Sequence, residues 1–179
     1  MFKNSKKNYG LVTKIFHWSI SLLIIVMLIA GYIMVSLEPT SSKWYIYSLH
    51  KATGILIIML STLRLLWKLL NIKVIPLVSV PTWQQKIANL NHTSFYYLMI
   101  IMPLSGLLMS LSGGFDFSFF GLFTIRSVIK SQEFAKIFWN IHALSAVVLS
   151  SLIGLHISAA FYHHFVRRDN TLLRMIKSI

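Results

Sequence analysis

The chain has 179 residues, 56% of them hydrophobic and only 12% charged, with a mean hydropathy of +0.70 and a formal net charge of +13. An apolar share this far above that of soluble domains makes a bilayer the expected solvent, and the length suits one domain of ordinary size. The lack of any cysteine excludes disulfides, iron–sulfur ligation, thiolate nucleophiles and the covalent attachment of c-type haem.

In chain order, a basic start (Lys3, Lys6, Lys7) leads into the first apolar run, Ile15–Val35. A helix needs about 20 apolar residues to span the hydrocarbon core. The run is too long for the apolar part of a secretory signal and lacks a small-x-small cleavage site, so it is expected to be a span and not a removed leader. The loop "SLEPTSSKWYIYS" is broken by Pro39 and a Ser/Thr cluster. A second span is expected over Leu49–Leu70. The connection "NIKVIPLVSVPTWQQKIANLN", with Pro76 and Pro81, is expected to lie along the membrane surface.

The third span, Ser94–Leu111, should end at Gly113 and Gly114. After it comes the longest connection, "SGGFDFSFFGLFTIRSVIKSQEF", whose Phe-rich first half suggests an element resting in the interface. The fourth span, Phe138–Phe165, is longer than a bilayer requires and should tilt or project. Apolar residues occupy all faces of these segments, which argues against ordinary amphipathic helices. The expected fold is all-α, a transmembrane four-helix bundle forming a single unit over residues 1–179.

The basic charge first suggests nucleic acid, but its distribution argues for topology. Of seventeen Lys and Arg residues, twelve fall on one side of the expected membrane: Lys3, Lys6, Lys7, Lys14, Arg64, Lys68, Lys73, Lys86, Arg167, Arg168, Arg174 and Lys177. Lys43, Lys51, Arg126, Lys130 and Lys136 fall on the other. The positive-inside rule then places both termini in the cytoplasm, with anionic lipid and not nucleic acid as the partner of the charge.

Ionisable groups inside spans are costly and usually functional. His142 and His156 lie fourteen residues apart in the fourth span, nearly on one helix face and about 21 Å apart along the axis. The alternation of spans pairs His17 with His156 near the inner surface and His50 with His142 near the outer one. A structural zinc site needs four ligands together, which two separated pairs cannot supply. A proton relay would use closer groups and intramembrane acids, yet Glu38, Asp116, Glu133 and Asp169 all lie at span ends or in loops. Haem b needs only axial ligands from the protein, so two histidines at each of two levels match two stacked haems.

Small residues near the histidines (Gly54, Gly154, Ser158, Ala159, Ala160) suit either a porphyrin or close helix packing. Arg64, fourteen residues after His50, shares its face one level inward, where it would pair with a propionate of the inner haem or serve as a topology arginine. His92, His163 and His164 are expected to be interfacial residues at the inner ends of spans, with a haem edge or a quinone site as the alternative.

The chain resembles the bacterial cytochrome b561 family of small four-helix dihaem membrane cytochromes. The resemblance rests on "HW" at His17–Trp18, "HKATG" through "RLLW" from His50 to Trp67, the His92 span with "MPLSG", and His142, His156 and "HHFVRRDNTLLRM". It implies haem-iron ligation by His17, His50, His142 and His156 and a place in the bacterial inner membrane. It also implies electron transfer between ubiquinone and an outer-side donor, which in one branch is superoxide. A small anion would be drawn towards Lys51, Arg126, Lys130 and Lys136, although Asp116 and Glu133 dilute that charge. The family also includes haem-bearing anchor subunits of hydrogenases and dehydrogenases, which bind a redox partner protein. The compact chain favours a stand-alone oxidoreductase, and the scarcity of intramembrane acids argues against a haem-free transporter.

Overall fold

The computed structural model describes residues 1–177, so the last two residues of the expected 1–179 unit lie outside it. Four long helices dominate: α1 (Leu11–Ser36), α2 (Ser41–Leu69), α3 (Thr82–Ser112) and α4 (Gln132–Phe161), the last extended by a π-helical turn at Tyr162–Val166. Each is long and apolar enough to cross a membrane. Between α3 and α4 lies an antiparallel hairpin of β1 (Phe117–Phe119) and β2 (Phe123–Ile125), and a short α5 (Leu173–Ile176) follows α4.

The helices pack in chain order, α1 on α2, α2 on α3 and α3 on α4. Successive helices run in opposite directions: the start of α1 meets the end of α2 where Arg64 reaches His17, and the end of α1 meets the start of α2 where Gly31 lies against His50. One end of the bundle carries the first and the last described residues and is termed the tail end; the other carries the β-hairpin and is the hairpin end. Side chains such as Leu22, Val26, Ile33, Leu144 and Val147 point outwards and are exposed. On a chain of this hydropathy they form the lipid-facing surface. The hydroxyls of Ser150 and Ser151 return to the carbonyls of Ala146 and Val147 one turn back, which satisfies them without water.

Helix starts follow local chemistry. Thr40 Oγ1 accepts from the Lys43 amide ahead of α2, and Ser131 Oγ accepts from the Phe134 amide ahead of α4. The start of α3 departs from expectation. The segment from Thr82 to Asn91, read from the sequence as part of a surface connection, forms the first turns of that helix. Its polar residues (Gln84, Gln85, Lys86, Asn89) hide it from a search for apolar runs. Pro81 sits at the boundary with φ −59°, where a missing amide costs nothing because the first amides of a helix have no intrahelical acceptor. Only residues 70–81 remain as the connection between α2 and α3. Span three does end at Gly113, the C-cap of α3, with Gly114 in the left-handed region at φ +88°.

The tail end is closed by hydrogen bonds between segments distant in sequence. Trp67 Nε1 donates to Thr13 Oγ1 at 3.0 Å, and Thr13 Oγ1 donates to Asn4 Oδ1 at 2.8 Å. Arg167 and Arg174 donate to the carbonyls of Ser79 and Ile75 in the α2–α3 connection. Trp18 Nε1 donates to the Met175 carbonyl. Burial raises the Tyr9 phenol pKa, against the opposing pull of Arg174 and Arg64.

Candidate functional site

The four long helices each carry three residues spaced by seven, which places them on nearly one face at about 10.5 Å intervals. On α1 they are His17, Ile24 and Gly31; on α2, His50, Ile57 and Arg64; on α3, His92, Met99 and Gly106; on α4, His142, Leu149 and His156. The antiparallel bundle sorts these twelve residues into three layers. His17, Arg64, His92 and His156 form the tail-end layer. Ile24, Ile57, Met99 and Leu149, all buried, form the middle with Ile20. Gly31, His50, Gly106 and His142 form the hairpin-end layer.

In the tail-end layer the His17 and His156 rings lie 6.1 Å apart between centroids. His92 lies 5.7 Å from His156, and Phe95 packs edge-on against the same ring at 5.6 Å. Arg64 Nη2 donates to His17 Nδ1 at 3.1 Å. His92 is exposed near the tail end, as expected of an interfacial residue, and its ring also joins the imidazole cluster through His156. Trp18 sits edge-on to His17 at 5.1 Å.

In the hairpin-end layer the His50 and His142 rings lie 6.3 Å apart. His142 Nδ1–H donates to the Met102 carbonyl at 2.7 Å, an oxygen that can only accept. That bond leaves Nε2 free as a ligand, the arrangement common to metal-bound histidines. His50 Nδ1 is buried and has no hydrogen-bond partner among the described residues. A cavity of about 790 Å³ opens beside both rings, lined among others by Gly54, Met102, Gly106 and Trp139.

Two glycines that sequence reasoning missed shape this layer. A Cβ on Gly106 would lie 2.9 Å from the His142 ring, and one on Gly31 would lie 3.5 Å from His50 Cε1. The same spacing of fourteen that links His50 to Arg64 links His17 to Gly31 and His92 to Gly106, so the sequence does carry the signal. Gly54 instead faces Pro103 of α3, and nothing lies within 4 Å of a Cβ built on Gly154.

The remaining histidines divide. His164 packs on Phe165. His163 Nδ1–H donates to Asp169 Oδ2 at 2.6 Å, across a reversal in which Arg168 takes φ +52°. Burial pushes the Asp169 carboxyl up, but hydrogen bonds from Thr171 and His163 outweigh it and leave the pKa lowered. A lowered carboxyl pKa stabilises the turn above the unfolded value of about 3.9, and that contribution is lost as the pH falls through the folded value. Amide protection at Asp169 and Thr171, measured by hydrogen exchange, is expected to persist at neutral pH and to disappear on acidification below that range.

The prokaryotic cytochrome b561 family model matches residues 8–178. The chain belongs to this family. It is 33% identical over 183 residues to cytochrome b561 homolog 2 of Escherichia coli (strain K12), covering 98% of this chain and 94% of that protein. It is 30% identical over 171 residues to a probable superoxide oxidase CybB of Yersinia pestis, covering 95% of this chain and 96% of that one. Membership makes it a multi-pass membrane haem protein. The residues present fit such a group. Two imidazoles facing each other across one metal at about 2 Å per bond have centroids roughly 6 Å apart, as both pairs do, and the hairpin-end pair adjoins a cavity of cofactor size.

Proposed function

We propose that the chain is a dihaem b-type oxidoreductase of the bacterial inner membrane, with both termini cytoplasmic, that carries electrons from an outer-side donor to ubiquinone, superoxide being the candidate donor. His50 and His142 would hold the haem near the hairpin end, His17 and His156 the one near the tail end. The observation that carries this reading is the pair of facing imidazoles at each end of one bundle, separated by an apolar layer.

Haem b supplies reversible one-electron chemistry at iron. The chain's own residues orient and insulate it. Met102 fixes the ring of His142 through Nδ1, and the buried middle layer excludes water between the two levels. At the tail end, a His17 that coordinates through Nε2 must carry its proton on Nδ1, and Arg64 has no acceptor to offer that N–H. Arg64 would then leave His17 and become available to a porphyrin carboxylate. Arg64→Gln is expected to keep two haems per chain and to lower the midpoint potential of the tail-end haem alone, since a positive charge near iron favours the reduced state.

The test is a pyridine haemochrome count on purified protein, followed by rapid mixing with superoxide and with a ubiquinone analogue. Two haems b, reduced by superoxide and reoxidised by quinone, are the expected result; protein from haem-replete cells without haem would overturn it. A second reading, a haem-bearing anchor for a partner dehydrogenase or hydrogenase, draws on the exposed apolar side chains of Phe115, Leu122, Val128 and Ile129 at the hairpin end. Stable co-purification with such a partner, and no superoxide-driven reduction alone, would favour it.

A further inference from the structure

The segment joining α3 to α4 covers the hairpin end and is held to the end of α3 by backbone bonds from the Phe115 amide to the Ser110 carbonyl at 3.0 Å and from the Ser131 amide to the Ser112 carbonyl at 2.8 Å. Leu122 and Val128 are exposed, and of its aromatic side chains only Phe117 is fully buried. Ser127 ties the segment to itself and to α3: its amide donates to Asp116 Oδ1 at 2.8 Å and its hydroxyl to the Leu111 carbonyl at 2.6 Å. A polar link to α2 comes from Lys51, the residue after His50. Its Nζ donates to Ser110 Oγ at 3.1 Å and to the Asp116 backbone carbonyl at 2.8 Å. Ser110, Asp116 and Lys51 all line the cavity beside His50 and His142.

We propose that Lys51 is a positioning residue that clasps the α3–β1 segment over the hairpin-end histidine layer. Two of its three N–H donors are committed to α3 and to the segment, so it is not a freely moving surface cation that collects anions. Its partners are a hydroxyl and a carbonyl and not the Asp116 carboxylate, whose Oδ1 takes the Ser127 amide. The ammonium charge therefore stays at the rim of the cavity with no ion pair among the described residues. The clasp rests on the haem reading only for what lies beneath it.

Hydrogen exchange on the full chain in lipid nanodiscs tests the clasp. Lys51→Met is expected to accelerate exchange of the Phe115 and Ser127 amides by about tenfold or more, the loss of roughly 1.4 kcal/mol of local protection, while leaving the helix centres unchanged. Lys51→Arg is expected to restore most of the protection. The midpoint potential of the hairpin-end haem should fall in Lys51→Met and recover in Lys51→Arg. Unchanged exchange at Phe115 and Ser127 in Lys51→Met would overturn the proposal, as would equal acceleration in the helix centres. If Lys51→Met fails to accumulate, Ser110→Ala removes one acceptor of Lys51 along with the Ser110 bond to the Phe115 carbonyl, so the Ser127 amide is the readout and should loosen to a smaller extent; no loosening there overturns the clasp. Loosening in a chain that holds no haem would sink the haem reading and keep the clasp, whereas two haems without loosening would sink the clasp alone.

Discussion

Replacing His142 with alanine is expected, on the proposed dihaem reading, to lower haem b from two to one per chain, with any haem retained at the hairpin end becoming high-spin. His142 presents Nε2 because Met102 holds Nδ1–H at 2.7 Å, so the alanine removes both the proposed ligand and the ring that this carbonyl orients. The tail-end pair lies about 21 Å away along α4, so its low-spin spectrum should persist. His156→Ala should give the mirror result. Visible and electron paramagnetic resonance spectra of both variants check the pairing, and two low-spin haems in His142→Ala would refute it.

Gly106→Val should have an effect nearly as large. A Cβ alone would stand 2.9 Å from Cε1 and Nδ1 of His142, closer than carbon atoms tolerate. The ring cannot swing aside without breaking its bond to Met102, so the variant must lose either that bond or the ring's position. Loss of the hairpin-end haem with retention of the other is expected, measured as haem per chain. Gly31→Ala is the control: at 3.5 Å from His50 its Cβ makes an ordinary contact, and both haems should remain. Equal haem content in Gly106→Val and the parent would show that the glycine has no part in the site.

The four membrane-length helices are legible in hydropathy alone, and the alternation of spans is enough to bring His17 to His156 and His50 to His142. What the sequence hides, it hides for physical reasons. The first turns of α3 are polar because they extend beyond the apolar run, and hydropathy is silent there. His92 looks like any residue near a span end, and only the packing of α3 against α4 brings it to His156. Gly106 carries no chemistry of its own; its meaning is the His142 ring that fills the space where a side chain would be. The β-hairpin reads in the sequence only as an unspecified interfacial element, because three-residue strands leave too short a pattern.

The buried layer of Ile24, Ile57, Met99 and Leu149 has an electrical consequence. These four side chains carry no group that can relay a proton, and the Ser61 hydroxyl beside them is spent on the Met99 sulfur at 3.3 Å. On the proposed reading, each electron would cross roughly 21 Å of a hydrocarbon thickness of about 30 Å unaccompanied. Turnover would then work with or against the membrane voltage, at about 2.3 kcal/mol per charge for each 100 mV traversed in full, and its rate should respond to an imposed potential across sealed vesicles.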